Sequence, residues 1–210
     1  MSKVDTQDAA AEFMGRASNA QKIQGILHRY PWLSSALVLL IASITFSFFN
    51  ENFLTPGNMS LILHQVAIVG AIAAGQTLII LTAGIDLSCG AIAIFASMVM
   101  AKTFMGDPDI PDDGLPVFWA FALGLLIGTL AGAFNGYLVT KFKLPPFIVT
   151  LGTLNVFIAL TLIYATGRTV ATNELPEFFL VLGTELDAGA FSITYGVLVM
   201  ILIYIILAFA

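Results

Sequence analysis

The stretch Leu115-Pro116-Val117-Phe118-Trp119-Ala120-Phe121-Ala122-Leu123-Gly124-Leu125-Leu126-Ile127-Gly128-Thr129-Leu130-Ala131-Gly132-Ala133-Phe134-Asn135-Gly136-Tyr137-Leu138-Val139 contains no charged side chain. A helix of about 20 mostly apolar residues crosses the hydrocarbon core of a bilayer, about 30 Å thick. This run meets that length, and its neighbours repeat the pattern. Five further apolar segments are predicted as spans: Trp32–Phe49, Leu61–Thr82, Ser88–Met105, Phe147–Thr166 and Phe191–Phe209. Turn signals separate them, including Pro56-Gly57, Gly84 to Ser88, Gly106-Asp107-Pro108, Pro145-Pro146 and Gly167. The expected fold is all-α, a polytopic membrane bundle of about six transmembrane helices.

Composition points the same way. The 210 residues are 59% hydrophobic and 10% charged, and the mean hydropathy is +0.96. Soluble domains average about a quarter charged residues, and a disordered chain would need low hydrophobicity with high net charge. The net charge of −5 argues against nucleic acid as a partner. One cysteine, Cys89, allows neither an intrachain disulfide nor a multi-cysteine metal site, so no metal is expected. No phosphate-cradling loop, H-E-x-x-H or G-x-S-x-G occurs, and no catalytic residue is assigned. Any ATP that drives the chain would be used by another polypeptide.

The basic residues set an expected orientation. With the N-terminus in the cytoplasm, Lys3, Arg16, Lys22, Arg29, Lys141 and Lys143 lie inside and only Lys102 and Arg168 outside, as the positive-inside rule requires. Residues 1–30 form the cytoplasmic segment, where about Ala9 to Tyr30 could lie as an amphipathic interfacial helix or remain a mobile tail. The first span would serve as an uncleaved insertion signal. The loop Thr172–Ala190, acidic at its ends and apolar at Phe178 to Leu182, is expected to fold against the outer surface.

Polar side chains inside a bilayer are costly and therefore informative. Here they are neutral, and Gln65, Gln76, Thr77, Asn135, Thr150 and Asn155 are the candidates for a solute path. Amides and hydroxyls suit transient hydrogen bonding to an uncharged polyhydroxylated solute. The same groups can instead be hydrogen-bonded glue between helices. Gly124, Gly128, Gly132 and Gly136 recur every fourth residue and are expected on one smooth helical face. That face is either a tight seam beside a pathway or plain bundle packing. Gly84 is expected to take the left-handed conformation that ends a helix, with Asp86 or Ser88 capping the next one. Pro145 and Pro146 read as the first turn of a helix, after the basic residue Lys143.

Taken together, these residues resemble a known family. Leu63-His64-Gln65-Val66-Ala67-Ile68-Val69-Gly70, Gly75-Gln76-Thr77-Leu78 and Leu81-Thr82-Ala83-Gly84-Ile85-Asp86-Leu87-Ser88 are similar to the monosaccharide permease subunits of bacterial ABC importers. So are Asn135-Gly136-Tyr137-Leu138-Val139 and Leu144-Pro145-Pro146-Phe147-Ile148-Val149-Thr150-Leu151-Gly152. The wording is nearest the fructose- and ribose-like branch, and Gly84, Asp86, Ser88, Gly90, Pro145, Pro146 and Phe147 match its motifs. The resemblance implies a multi-pass subunit of the bacterial cytoplasmic (inner) membrane. Its implied partners are a second permease copy (a homodimer), an ABC ATPase subunit, an extracytoplasmic sugar-binding protein, the lipid bilayer and a monosaccharide. Such permeases continue into a cytoplasmic loop of the form G-R-x-x-Y-A-x-G, so residues 31–210 resemble the N-terminal part of the permease domain. Two other readings stand beside it: an ATP-independent carrier or facilitator, and a non-transporting membrane assembly subunit or fragment.

Overall fold

A computed structural model describes residues 25–106, 113–187, 189 and 192–209. Residues 25–29 are helical, and the rest of the expected interfacial helix lies outside the described residues. The long elements are α1 (Trp32–Phe49), α2 (Pro56–Leu81), α3 (Cys89–Met105), α4 (Val117–Phe142) and α5 (Pro146–Ala165). A one-turn helix α6 (Glu177–Leu180), strands β1 (Glu185–Asp187) and β2 (Ser192–Thr194), and helix α7 (Tyr195–Phe209) follow. By length and composition α1, α2, α4 and α5 can each cross a membrane, whereas α3 and α7 are shorter apolar helices.

The chain divides into two compact units, Met1–Asn58 and Met59–Ala210. In the first, α1 is apolar all round and buries none of its residues, the pattern of a helix whose solvent is lipid. Its end is closed by Phe46 against Phe53, with ring centroids 5.7 Å apart. The turn expected from Asn50–Asn52 with Pro56-Gly57 forms at its first half, where the Phe53 N–H donates to the Asn50 carbonyl at 3.0 Å, and Pro56-Gly57 lies past it. Pro56 opens α2, a position where the missing N–H of proline costs nothing and its fixed φ suits the helix.

In the second unit α3, α4 and α5 pack on one another. Ala91 and Ile92 of α3, Ala131 of α4 and Phe157 of α5 form the buried cluster, with Phe95 and Leu154 against it. The Phe95 and Phe157 rings sit 5.7 Å apart. Alanine and glycine at these contacts let backbones approach, and close packing supplies the association energy that lipid denies to hydrophobicity.

The glycine repeat is only half used. A Cβ on Gly124 would meet Met100 Cβ at 3.0 Å and the Ala96 carbonyl at 3.2 Å, and one on Gly128 would meet Ala96 Cβ at 3.8 Å. Gly132 and Gly136 have nothing within 4 Å. The expectation of one common face is corrected by geometry. At 3.6 residues per turn, each four-residue step advances about 40°, so the repeat winds about 120° around α4 from first to last.

Helix α7 approaches α2 at Gly70, where a Cβ would collide with Met200 Sδ. Tyr204 Oη donates to the Gly70 carbonyl at 3.2 Å. The last span does not start at Phe191 as expected. Ser192-Ile193-Thr194 is extended and pairs antiparallel with Glu185–Asp187, in the register Glu185↔Thr194, Leu186↔Ile193 and Asp187↔Ser192. Isoleucine and threonine are β-branched and favour a strand. The Ser192 N–H donates to Ser60 Oγ at 3.0 Å, which pins the hairpin to α2. The loop before it docks as expected on the bundle end: Phe178 meets Phe121 edge-on at 5.6 Å, and Phe179 meets Phe104 at 5.9 Å.

Candidate functional site

The segment between α2 and α3 gathers most of the polar groups singled out above. Helix α2 ends in a Schellman arrangement: the Ala83 N–H donates to the Ile80 carbonyl at 2.9 Å and the Gly84 N–H to the Ile79 carbonyl at 3.0 Å. The left-handed residue is Ala83, with φ 58°, and not Gly84 as expected. Gly84 answers a steric need instead, because a Cβ there would lie 3.0 Å from Ile79 Cγ2 and 3.3 Å from the Ile79 carbonyl.

Two residues on, Asp86 organises the entry into α3. Its Oδ1 accepts from the Ser88 N–H at 2.7 Å and from Ser88 Oγ at 2.6 Å. Ser88 flanks the helix without capping it through its side chain. Its hydroxyl accepts instead from Asn135 Nδ2 of α4 at 2.7 Å. Ser88 is fully buried and Asn135 is 4% exposed. Gln76 of α2, with its amide turned to satisfy both partners, donates to the Asp86 carbonyl at 3.1 Å and accepts from the Asp86 N–H at 3.2 Å. Thr150 of α5 shares its hydroxyl proton between the Pro146 carbonyl at 2.9 Å and the Ile85 carbonyl at 3.1 Å.

This junction joins two apolar helices. Asn135 stands eight residues before Lys143 in the sequence, about 12 Å along the helix axis at 1.5 Å per residue. Non-helical backbone next to apolar helices is tolerated in a bilayer where it is buried in protein or lines a wet cavity. Here the side chains of Gln76 and Thr150 satisfy the backbone groups of Ile85 and Asp86 that a continuous helix would have paired internally. Asn135 Oδ1 has no partner among the described residues.

Of the six path candidates, Gln76, Asn135 and Thr150 are brought together, with the motif residues Asp86 and Ser88 at their centre. Gln65 is not, standing eleven residues before Gln76 on α2, about 16 Å along its axis, and neither are Thr77 and Asn155. Thr77 and Asn155 bond to their own helices, at the Ala73 and Leu151 carbonyls, both at 2.8 Å. Pro145 and Pro146 form the expected first turn of α5, preceded by Lys143 at φ 54°. Phe147 is half exposed, and a Cβ on Gly90 would meet nothing within 4 Å.

At the opposite end of α3 and α5 lies a second polar place that the sequence reading did not assemble. A cavity of about 1020 Å³ is lined there by Lys102, Asp113, Tyr164, Arg168 and Glu174 among others. Lys102 Nζ donates to the Tyr164 carbonyl at 3.0 Å and lies 5.3 Å from the Tyr164 ring centroid. The available signal was that Lys102 and Arg168 are the two basic residues separated from all the others. Among the described residues, no group of His, Cys, Asp and Glu could hold a metal ion.

Apolar helices long enough to cross a bilayer define a multi-pass membrane protein. The chain belongs to the family described as branched-chain amino acid transport system / permease component, which matches residues 58–210. It is 40% identical to the fructose import permease protein of Rhizobium meliloti over 195 residues, covering 89% of this chain and 51% of that protein. It is 41% identical to the ribose import permease protein of Bacillus subtilis over 140 residues, covering 67% of this chain and 40% of that protein. With the D-allose transport system permease protein of Escherichia coli it shares 38% identity over 134 residues, 64% of this chain and 39% of that protein. The chain thus spans about half the length, or less, of these curated relatives. No solved structure matches. The relatives are permeases of transport systems, and the chain is a multi-pass protein of the cytoplasmic membrane.

Proposed function

We propose that this chain provides membrane-spanning helices of a bacterial ABC importer for a neutral monosaccharide, of the fructose and ribose kind. The observation that carries this reading is the 40% identity to a fructose import permease over 89% of the chain. The chemistry agrees. A proton- or sodium-coupled carrier needs an internal carboxylate or relay to bind its driving ion. Here no Asp or Glu lies within α1 to α5, whose only basic or imidazole side chains are His64, Lys102 and Lys141, and Asp86 is engaged by Ser88 at a helix end.

In this reading the N-terminus is cytoplasmic, so the Asp86 junction faces the inside and the Lys102 cavity the outside. A second copy of the permease, an ATPase that binds and hydrolyses ATP, and an extracytoplasmic sugar-binding protein complete the importer. The gain from these interactions is division of labour: the ATPase supplies energy, the exported binder selects the sugar, and the helices supply a wet path.

The deciding experiment is uptake of radiolabelled D-fructose, D-ribose and D-allose. The host lacks its own monosaccharide permeases and expresses the complete reading frame that carries the chain, together with an ABC ATPase and an exported sugar binder. Uptake that depends on the chain and stops on ATP depletion supports the reading. Uptake that persists after ATP depletion assigns the chain to a facilitator, and no chain-dependent flux rejects transport. Single cysteines at Lys143 and Arg168, labelled from either side of the membrane, test the orientation. Labelling of position 143 from outside would reverse it.

A further inference from the structure

The turn that joins α4 to α5 reads Lys141-Phe142-Lys143-Leu144-Pro145-Pro146-Phe147, with charge and apolar bulk alternating at its start. We propose that this turn is a docking surface for the headgroups of anionic phospholipids. The inference holds whatever solute the chain transports.

Charge is the first consideration. The chain as a whole is acidic, with a net charge of −5, yet no Asp or Glu occurs from Leu115 to Asn173. Both lysines are exposed, and among the described residues neither has a side-chain hydrogen bond or an ion pair. Asp86, whose neighbour Ile85 is bonded to Thr150 of α5, already accepts twice from Ser88. Two unneutralised ammonium groups attract an anion, and the phosphodiester of an acidic lipid supplies one at the membrane edge.

Apolar surface is the second. Phe142, Leu144 and Phe147 are all exposed, and the Tyr137 ring meets Phe142 edge-on at 5.9 Å. These side chains continue into the exposed faces of α4 at Phe134 and of α5 at Ile148 and Leu151. Acyl chains that cover those faces bring their own headgroups to the lysines. A lysine stem can lie along apolar neighbours while its ammonium reaches the polar layer.

Length is the third. Helix α5 has 20 residues, about 30 Å at 1.5 Å per residue, which matches the hydrocarbon core. A span of that length brings the turn before it to headgroup level. Lys141 is also the first charge that α4 reaches from its start at Val117. The shape of the turn is set before any lipid arrives. Lys143 reverses the chain at φ 54°, and the Ile148 and Val149 N–H groups both donate to the Pro145 carbonyl, at 3.0 and 3.2 Å. Val149 and Thr150 are buried behind it. A pre-formed surface lowers the ordering cost of binding.

The test is electron paramagnetic resonance of spin-labelled phosphatidylglycerol and phosphatidylcholine, each with the full chain in phosphatidylcholine bilayers. The readout is the ratio of their association constants. Phosphatidylglycerol should be preferred, and the preference should fall as salt screens the charges. Lys141→Gln with Lys143→Asn, an asparagine being tolerant of left-handed backbone, should lower the ratio about fivefold. Lys141→Gln alone should lower it about twofold, and it decides the matter if the double variant fails to fold. Arginine at both positions should preserve it. Lys102→Gln should leave it unchanged, because that ammonium already donates to the Tyr164 carbonyl. A ratio near one in the unaltered chain overturns the proposal, as does a ratio indifferent to the lysine variants or an equal loss on Lys102→Gln. Displacement of the labelled phosphatidylglycerol by inorganic phosphate assigns the lysines to a soluble anion and overturns it too. A ratio near one, with ATP-dependent uptake lost in the double variant, assigns the turn to an acidic protein partner instead.

Discussion

Replacing Ser88 with alanine tests whether the junction between α2 and α3 is held by its side chains. The Ser88 hydroxyl accepts from Asn135 at 2.7 Å and donates to Asp86 at 2.6 Å, and Ser88 is fully buried. A net intramolecular hydrogen bond contributes about 0.5–1.5 kcal/mol, and pairs between membrane helices average about 0.6 kcal/mol. The larger cost is what remains behind. Asn135 Oδ1 already has no partner among the described residues, so the substitution would strand both ends of a buried amide, and a stranded polar group costs about 1–3 kcal/mol. We expect Ser88→Ala to lower stability by about 1–2 kcal/mol, combining these two effects. Reversible unfolding in mixed detergent micelles, followed by helical circular dichroism, measures this directly. Asn135→Leu removes the group that would be stranded. The double variant should therefore be less destabilised than the summed singles by about 1 kcal/mol, within the range for residues in direct contact. A Ser88→Ala variant within about 0.3 kcal/mol of the parent, together with additive costs, would refute the reasoning.

Three further outcomes are expected. Ala83→Gly should stabilise the chain by about 1 kcal/mol, because an alanine at φ 58° carries a left-handed cost of that order; Ala83→Val should lower thermal stability in the same melting assay. Gly124→Leu should destabilise by about 1–3 kcal/mol through overpacking against Met100 and Ala96, while Gly132→Leu, which meets nothing, should stay within about 0.5 kcal/mol of the parent. Tyr204→Phe should cost less than about 1 kcal/mol, and Gly70→Leu clearly more, since the first loses a single bond to the Gly70 carbonyl and the second drives α7 off α2. Thermal denaturation followed by size-exclusion chromatography ranks all of these.

The spans were legible because hydropathy over twenty residues is a property of the chain alone. Asn135 was legible as a costly group in an apolar run. Its partner was not, since Ser88 lies 47 positions away and a serine next to a helix start reads as a cap. Gly84 was identified as special for the wrong reason. The glycine marks a close approach to Ile79, and its neighbour Ala83 carries the unusual backbone, a distinction that depends on packing. The four-residue glycine spacing suggested one face, but helical pitch rotates the later two away from α3. Ser192–Thr194 looked like the first turn of a span because it leads straight into the apolar run Tyr195–Phe209. Strand pairing with Glu185–Asp187, a long-range event, decided otherwise. Lys102 and Arg168 stood out by charge, and only the fold showed that they share a cavity with Asp113 and Glu174.

The broken stretch between α2 and α3 also has a mechanical consequence. An unbroken rod in lipid tilts as a whole, and its internal bonds resist bending everywhere alike. Here two rods meet at a turn, and the turn is clamped to α2, α4 and α5 by Gln76, Ser88, Asn135 and Thr150. Rocking one piece against the other must slide those clamps together, so the stiffness of this elbow is set by a handful of amides and hydroxyls and hardly at all by the surrounding fat.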